Sequence, residues 1–398
     1  MEHLIIRHFG PVKDIKVDIL PLTIFIGTQG GGKSTVSKVL TICRDMNWIL
    51  AMLNNKVDDL MTPFVKFGIV EYFNDDTIIC YKHNSEGVSY EIKYGESGFE
   101  INSLSIERDI FRDLVQNMII RANRSLLEKL GETDLSNPDV LNKYSRIINA
   151  NSRTTLYVPA ERNLVGMLSD SLASMLAAQI PLYDALVEYM SVFEKARYAL
   201  KTYNVDFLRS SFIQKDGREM IEIHDSITGE VKSLPLQSCS SGLQSVLPLV
   251  MVMDYSFGMK CFNSFVIEEP EQNLFPSNQR ELLKFILSRC KESLNVVITT
   301  HSPYLLSYLN VALLLGRVIS EYGEDSLKDN GYTDDFVSLK SSDVAVYSLD
   351  PDDDVYCKSM IDENTRLVGV NGLDMVSDII GEEYDRVYRL YSKLKRKS

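Results

Sequence analysis

The plainest chemistry in the chain lies in one short run, Gly27-x-x-x-x-Gly32-Lys33-Ser34, followed by Thr35. Glycines let consecutive backbone N–H groups turn inward with no Cβ in the way. Gly27, Gln29, Gly30, Gly31 and Gly32 can therefore line a cradle for phosphate oxygens. A helix that starts at the end of such a loop points its positive N-terminus at the same oxygens. Lys33 then reaches the β- and γ-phosphates of a nucleotide, and the hydroxyl of Ser34 holds Mg²⁺. The competing reading is a Gly-rich turn with no ligand. Context weighs against it, because residues 22–26 are a short, wholly apolar strand and apolar residues recur at helical spacing from Val36 onward.

Three further runs could complete such a site. In Phe265-Val266-Ile267-Glu268-Glu269-Pro270-Glu271 a buried strand ends in acids. Adjacent acids point to different sides of a strand end, so Glu268 can position Mg²⁺ while Glu269 polarises an attacking water. In Asn295-Val296-Val297-Ile298-Thr299-Thr300-His301-Ser302-Pro303 a second strand ends with His301 at its tip, placed to meet a γ-phosphate. In Ser238-Cys239-Ser240-Ser241-Gly242-Leu243-Gln244, Ser240 opens an apolar helix. That residue reads either as an N-cap or as a phosphate contact at a helix N-terminus.

The elements that must position these runs alternate strand and helix at both ends of the chain. Strands are expected at 4–6, 15–19, 22–26, 77–81, 88–94, 99–101, 155–159, 264–267 and 295–299. A hairpin is expected over 219–234. Helices are expected from Val36 to about Asn54, over 104–150, 164–202 and 277–289, and over a closing stretch 373–394. The fold class is α/β, with helical and β insertions between the Gly-rich loop and the Ser240 run. The expected organisation is an N-terminal lobe at 1–55, an insertion at 56–153, a helical lobe and hairpin at 154–234, the chemical motifs at 235–310, and an acidic α/β segment at 311–398.

Composition bounds the rest. The 398 residues are 45 % hydrophobic and 24 % charged, which excludes disorder as the main state. The net charge of −13 argues against a protein that coats nucleic acid by bulk charge. Residues 321–363 carry thirteen Asp/Glu against three Lys/Arg, a balance of −10 that leaves −3 for the remainder. DNA contact by the body thus stays open, and the acidic segment is a candidate surface for a basic partner. No uninterrupted apolar run reaches the length of a bilayer span and no secretory signal opens the chain, so a cytoplasmic protein without membrane contact is expected. The six cysteines show no C-x-x-C spacing and read as reduced thiols.

Taken in order, the Gly-rich loop, Ser-Ser-Gly-x-Gln, Ile-Glu-Glu-Pro-Glu-x-x-Leu-x-Pro and Thr-His-Ser-Pro resemble the ABC-type ATPases of the RecF/SMC/OLD group. They are similar in particular to AAA ATP-binding proteins of bacterial phage-defence operons, including OLD- and PARIS-like ATPase subunits. The opening run Ile6-Arg7-His8-Phe9-Gly10-Pro11-Val12-Lys13 is similar to that group's first hairpin. The resemblance implies a P-loop NTPase with an ABC-type ATPase head that binds ATP and Mg²⁺. It gives Gly27 to Thr35 as the Walker A loop and Ser240 and Gly242 as the signature motif offered to ATP on the other subunit. It gives Glu268 in place of the usual Walker B aspartate, Glu269 as the catalytic carboxylate, residues 272–274 as the D-loop and His301 as the switch histidine. Departures are Gln29 where Asn is usual, Asn273 and Phe275 where His is frequent, and Arg162-Asn163 where a Gln follows the strand. The resemblance also implies a homodimer or higher homo-oligomer closed around ATP, acting with a separately encoded effector.

Two other functions are open to the same sequence. A RecF-like DNA-repair ATPase would bind duplex DNA through Arg108, Arg112, Arg121 and Arg124 or through Lys393, Lys395, Arg396 and Lys397. A transporter nucleotide-binding subunit is disfavoured by the Glu-Glu-Pro-Glu run. The Asp350-Pro351-Asp352-Asp353-Asp354 cluster could suggest a Toprim nuclease, but no Glu-Gly motif on an upstream strand accompanies it, and a solvated loop between two strands is the expectation.

Overall fold

In the computed structural model the residues described are 2–45, 48–49, 60–85, 88–96, 98–106, 155–168, 182, 184–215, 218–225, 227–259, 262–291, 295–332, 336–370 and 382–389. Residues 104–106, expected to open a helix, instead end a strand; the rest of the helix expected over 104–150, the Arg108–Arg124 and Lys393–Lys397 groups, and most of the closing helix lie outside them.

Five apolar strands make the centre. They are β3 (Leu22–Gly27), β7 (Thr155–Val158), β12 (Ser264–Glu268), β13 (Asn295–Thr299) and β14 (Val344–Leu349), all mutually parallel in the order β14-β3-β13-β12-β7. The short β15 (Cys357–Ser359) closes the β14 edge antiparallel. The strands β7 and β12 are buried at every position, as befits a parallel sheet covered on both faces. Because the five strands run the same way, their carboxyl ends share one edge, where ligands of α/β sheets bind. The Gly-rich loop, Arg162, the acid pair, His301 and the Asp350 loop all leave from that edge.

Two antiparallel sheets flank this centre. One has the order β2-β1-β4-β5-β6, from β1 (Glu2–Phe9), β2 (Val12–Ile19), β4 (Ile78–Ser85), β5 (Val88–Gly95) and β6 (Gly98–Ile106). It buries Leu4, Ile6 and Val17 in one core with Val36, Val39 and Leu40 of helix α1 (Lys33–Cys43) and with Phe64 of α2 (Thr62–Lys66). The other sheet has the order β11-β10-β9-β8, from β8 (Thr202–Val205), β9 (Ser210–Lys215), β10 (Arg218–His224) and β11 (Val231–Leu234). It shares the larger core with α3 (Asn163–Leu168), α4 (Asp184–Leu200), α5 (Ser241–Met259), α6 (Pro276–Lys291) and α7 (Pro303–Tyr322). A short α8 (Asp325–Asp329) follows α7.

Several sequence expectations change. The helix expected to run to Asn54 breaks at Cys43, where Arg44 closes the last turn on Leu40 and sends its side chain to other elements. The hairpin at 219–234 gains two strands before it, β8 and β9, joined through Arg209 at φ 49. These strands are short, four and six residues, so the alternation of Thr202-Tyr203-Asn204-Val205 is too brief to mark a strand by itself. The acidic C-terminal stretch holds β14, a core strand beside the Gly-rich loop, and the Asp350–Asp354 run is the loop between β14 and β15. Helix α7 is long and apolar enough by length and composition to cross a membrane, although polar residues interrupt its apolar run, as expected. It nevertheless buries Leu305, Leu306, Leu309, Ala312 and Leu313 in the core, as a core helix does.

The junction between the first antiparallel sheet and the centre is ionic. Arg44, almost fully buried, donates from Nε to Glu2 Oε2 at 2.7 Å and from Nη1 to Ser264 Oγ at 2.7 Å. Tyr81 donates to the same Glu2 oxygen at 2.7 Å. Burial works against the Glu2 carboxylate, but Arg44 and Tyr81 together hold its pKa below the ordinary value of 4.5. Removing one partner of such a pair strands the other charge. Arg44→Met should therefore lower unfolding free energy by about 3–5 kcal/mol, read from the urea midpoint at pH 7, and an unchanged midpoint contradicts this. In the unfolded chain the Glu2 carboxylate takes up protons first, so this stability is present above its ordinary pKa and is lost as pH falls below it. Glu2→Gln should flatten that acid limb.

Candidate functional site

The Gly-rich loop leaves β3 at Gly27 and turns through positive φ at Gly27 (136), Gly30 (77) and Gly32 (88). A Cβ at Gly27 would lie 1.9 Å from the carbonyl oxygen of Leu349, so the neighbouring strand β14 presses directly on the loop's first residue. A Cβ at Gly32 would meet the Tyr356 hydroxyl at 2.7 Å and Val12 at 2.9 Å. Tyr356 donates to Gly31 O at 2.7 Å, so the C-terminal segment braces the loop from behind. Thr28, Gln29 and Gly30 are exposed at its tip, with open space around Gly30. Gly32 is the N-cap of α1 and supplies no side-chain cap, so no capping side chain occupies the first N–H groups of the helix.

Lys33 is buried and donates from Nζ to Gly27 O at 3.0 Å and Thr28 O at 2.8 Å, inside the cradle. Burial pulls its pKa below the ordinary value, and Glu269, Glu271 and Glu268 pull back. Those three carboxylates are thus the electrostatic counterparts of the lysine. Ser34 is exposed at the start of α1, and Thr35 is buried.

Glu268 ends β12, buried, with Oε1 lacking a hydrogen-bond partner among the described residues. Glu269 follows at φ 42, a left-handed conformation that costs a non-glycine residue about 1–2 kcal/mol. Three contacts hold the kink. Its N–H donates to Thr299 O at 2.8 Å, its carbonyl accepts from Arg162 Nη2 at 2.7 Å, and its side-chain Oε2 accepts from Gln272 Nε2 at 2.9 Å. The other carboxylate oxygen lies 3.7 Å from His301 Nε2. Burial and Lys33 hold the His301 pKa below its ordinary value and Glu269 opposes them, a balance that favours the neutral imidazole.

Two residues that the motifs did not single out organise this edge. Arg162 is completely buried; it donates from Nη1 to Glu268 O at 2.6 Å and from Nη2 to Glu269 O at 2.7 Å. Burial weakens its charged form, and Tyr189, Glu271, Glu269 and Glu268 offset that effect. Glu271 accepts from Thr300 Oγ1 at 2.7 Å and from His301 N at 2.8 Å, joining the β12 and β13 ends. Burial raises its pKa against those hydrogen bonds. The available signal was positional: each is a charged residue just past a wholly apolar strand.

The structure therefore brings Lys33, Glu268, Glu269 and His301 together. Ser240 and Gly242 stand at the start of α5. Ser240 is exposed with Oγ 3.5 Å from Leu243 N, and a Cβ at Gly242 would meet Asn273 O at 2.8 Å. They face the turn that follows the acids. The residues fit a Mg²⁺–nucleotide: an open glycine cradle, a buried lysine, an exposed hydroxyl at Ser34 and an unpartnered buried oxygen on Glu268. Among the described residues no three His, Cys, Asp or Glu side chains form a metal site on their own. Mg²⁺ that arrives with phosphates needs only one or two protein ligands.

A sequence-family model described as an AAA ATPase domain matches residues 44–306. It begins just past α1, so the Gly-rich loop is recognised by its own pattern while the match takes in Arg162, the Ser240 turn, the acid pair and His301. No curated protein matches the chain. Among solved structures, an SMC head domain from Thermotoga maritima is 12 % identical with a TM-score of 0.38, over 77 % of this chain and 90 % of that one. The Smc head domain with an extended coiled coil bound to the C-terminal domain of ScpA, derived from Pyrococcus furiosus, is 13 % identical with a TM-score of 0.41, over 96 % and 100 %.

Arg162 gives a direct test of the site's construction. Arg162→Met leaves two buried carbonyls and the nearby carboxylates uncompensated and should cost about 3–5 kcal/mol of stability. Arg162→Lys keeps the charge but loses the fork that reaches both carbonyls. It should fold with a lower thermal midpoint, and wild-type midpoints for both variants would contradict the assignment.

Proposed function

We propose, from the premise that the chain belongs to the AAA ATPase domain family, that it binds and hydrolyses ATP at the edge built by Gly27–Thr35, Glu268, Glu269 and His301. The observation that carries this reading is the convergence of Lys33, Glu269 and His301. The lysine lies in the loop's cradle and the acid and histidine lie 3.7 Å apart across it.

The chain's own residues would divide the work as follows. Gly27, Gln29, Gly30, Gly31, Gly32 and Thr35 orient the phosphates, with backbone N–H groups and the α1 N-terminus facing them. Lys33 moves its ammonium from the loop carbonyls to the phosphate oxygens and stabilises charge as it develops. Ser34 and Glu268 would hold Mg²⁺, which when bound supplies charge neutralisation at the phosphates. Glu269, fixed by the kink at φ 42 and by Gln272, orients and polarises the attacking water. His301, neutral and hydrogen-bonded through its main chain to Glu271, is positioned to donate to the transferring phosphoryl group.

We further propose that two copies close around ATP, with Ser240 and Gly242 of one copy meeting the nucleotide held by the other. The exposed Ser240 turn at a helix N-terminus supports this. ATP then acts as a dimerisation ligand and hydrolysis resets the pair. On the motif resemblance alone, the ATPase is proposed as the sensor or regulatory subunit of an anti-phage system with a separately encoded effector.

Two substitutions separate binding from chemistry. Lys33→Ala should weaken ATP binding by at least about tenfold in calorimetry, the loss of more than about 1.4 kcal/mol of charge-assisted contact. Glu269→Gln should retain ATP affinity while phosphate release falls by about 10²-fold or more. Wild-type affinity in the first, or wild-type turnover in the second, removes the corresponding role. For the defence reading, the operon carrying Glu269→Gln should lose protection in a phage plaque assay, and full protection contradicts it.

A further inference from the structure

We infer that Gln244 is a positioning residue: its buried amide shapes the Ser240 turn and ties it to the carboxylate edge through Gly166 and Arg162. The inference rests on the reading of that edge as an ATPase site, which the turn completes.

The starting point is a weak cap. A serine at a helix start ordinarily fixes the first turn by accepting a backbone N–H. Here the Ser240 Oγ to Leu243 N separation of 3.5 Å is at the limit of a hydrogen bond, and Ser240 is exposed. Something else must set the conformation of residues 237–240. Gln244 is buried (7 % exposed), in a helix whose next turns are Val246, Leu247, Leu249 and Val250. Its side chain folds back toward the N-terminus. Nε2 donates to Gln237 O at 2.9 Å and Cys239 O at 3.0 Å, while its own N–H donates to Ser240 O at 3.0 Å. One residue thus satisfies three carbonyls of the turn from inside.

The same side chain is held from the other direction. A Cβ on Gly166 would lie 2.9 Å from Gln244 Cβ, 3.1 Å from its Cα and 3.2 Å from its Cγ. The backbone of α3 therefore lies flush on Gln244, with no room for a larger residue. Helix α3 begins at Asn163, directly after Arg162, whose guanidinium grips the Glu268 and Glu269 carbonyls. On the far side Gly242 packs against Asn273 O, and Gln272 holds the Glu269 carboxylate. The contacts close a ring that runs from the acids through Arg162, Gly166, Gln244, the Ser240 turn and Asn273 back to Glu269. A turn fixed in this ring moves with the catalytic acid rather than independently of it.

The test uses the full-length protein and two readouts. The first is the rate at which a small thiol reagent labels Cys239, followed peptide by peptide in a mass spectrometer. Cys239 is 9 % exposed in the turn, with Sγ 3.5 Å from Pro235 O. Gln244→Met keeps the bulk and removes the donor; it should raise Cys239 labelling by about tenfold, the loosening expected when the buried Cys239 carbonyl and the part-buried Gln237 carbonyl lose their donor. Gln244→Lys restores a donor and should bring labelling back near wild type. The second readout is kcat, which should fall about tenfold or more in Gln244→Met with ATP affinity within threefold, and recover in Gln244→Lys. Unchanged Cys239 labelling in Gln244→Met overturns the clamp. Raised labelling with wild-type kcat overturns the tie to the acids. If Gln244→Met fails to unfold cooperatively, Gly166→Ala, which pushes on the same side chain, takes its place with the same expected directions. A wild-type protein with no turnover would sink the ATPase reading, and the labelling result would still decide the clamp.

Discussion

The carboxyl edge of the sheet depends on one buried guanidinium. Arg162 reaches the carbonyls of two consecutive residues, Glu268 and Glu269, at 2.6 and 2.7 Å. A bidentate donor of fixed geometry is what can hold a backbone kink that the chain would not otherwise adopt. That kink puts Glu269 at φ 42 and turns its carboxylate toward His301, while Glu268 stays buried at the strand end. Desolvating an arginine is expensive, and here the carboxylates of Glu271, Glu269 and Glu268 supply the opposing field. The same acids act on Lys33, so one cluster of negative charge faces the buried Arg162 on one side and the lysine of the Gly-rich loop on the other.

The phosphate loop has a second dependence, on chain far away in sequence. The strand β14 pairs with β3 as far as Gly27, and its last carbonyl, at Leu349, occupies the space a Cβ on Gly27 would need. Tyr356 then ties the loop at Gly31. Glycine is required at 27 because of a neighbouring backbone as well as because of φ 136. Residues 344–356 therefore belong to the edge that carries the Gly-rich loop, even though the surrounding stretch looks in composition like an acidic surface.

How much of this was legible in the sequence follows from which forces leave local marks. The Gly-rich loop, the apolar strands and the acids at the end of β12 are local patterns, and the structure puts Lys33, Glu268, Glu269 and His301 on one edge. Arg162 was visible only as a residue out of place after a strand, because what makes it important is a pair of carbonyls more than a hundred residues away. Gln244 read as part of a motif, while its role as an internal donor depends on the close approach of Gly166. The early end of α1 was missed for the same reason: Arg44 leaves the helix to satisfy Glu2 and Ser264, contacts that helical periodicity does not record. Strands β8 and β9 are short, so the alternation in Thr202-Tyr203-Asn204-Val205 runs over too few residues to mark a half-buried strand.

We propose that two copies of this edge, each completed by the other's Ser240 turn, make an ATPase. Phosphate release at saturating Mg²⁺ and ATP, measured per mole of protein across a wide range of protein concentration, tests it most directly. The account predicts a specific activity that rises with concentration and levels off once the paired form dominates. A specific activity independent of concentration would contradict the paired site, and no release at any concentration would contradict the ATPase itself.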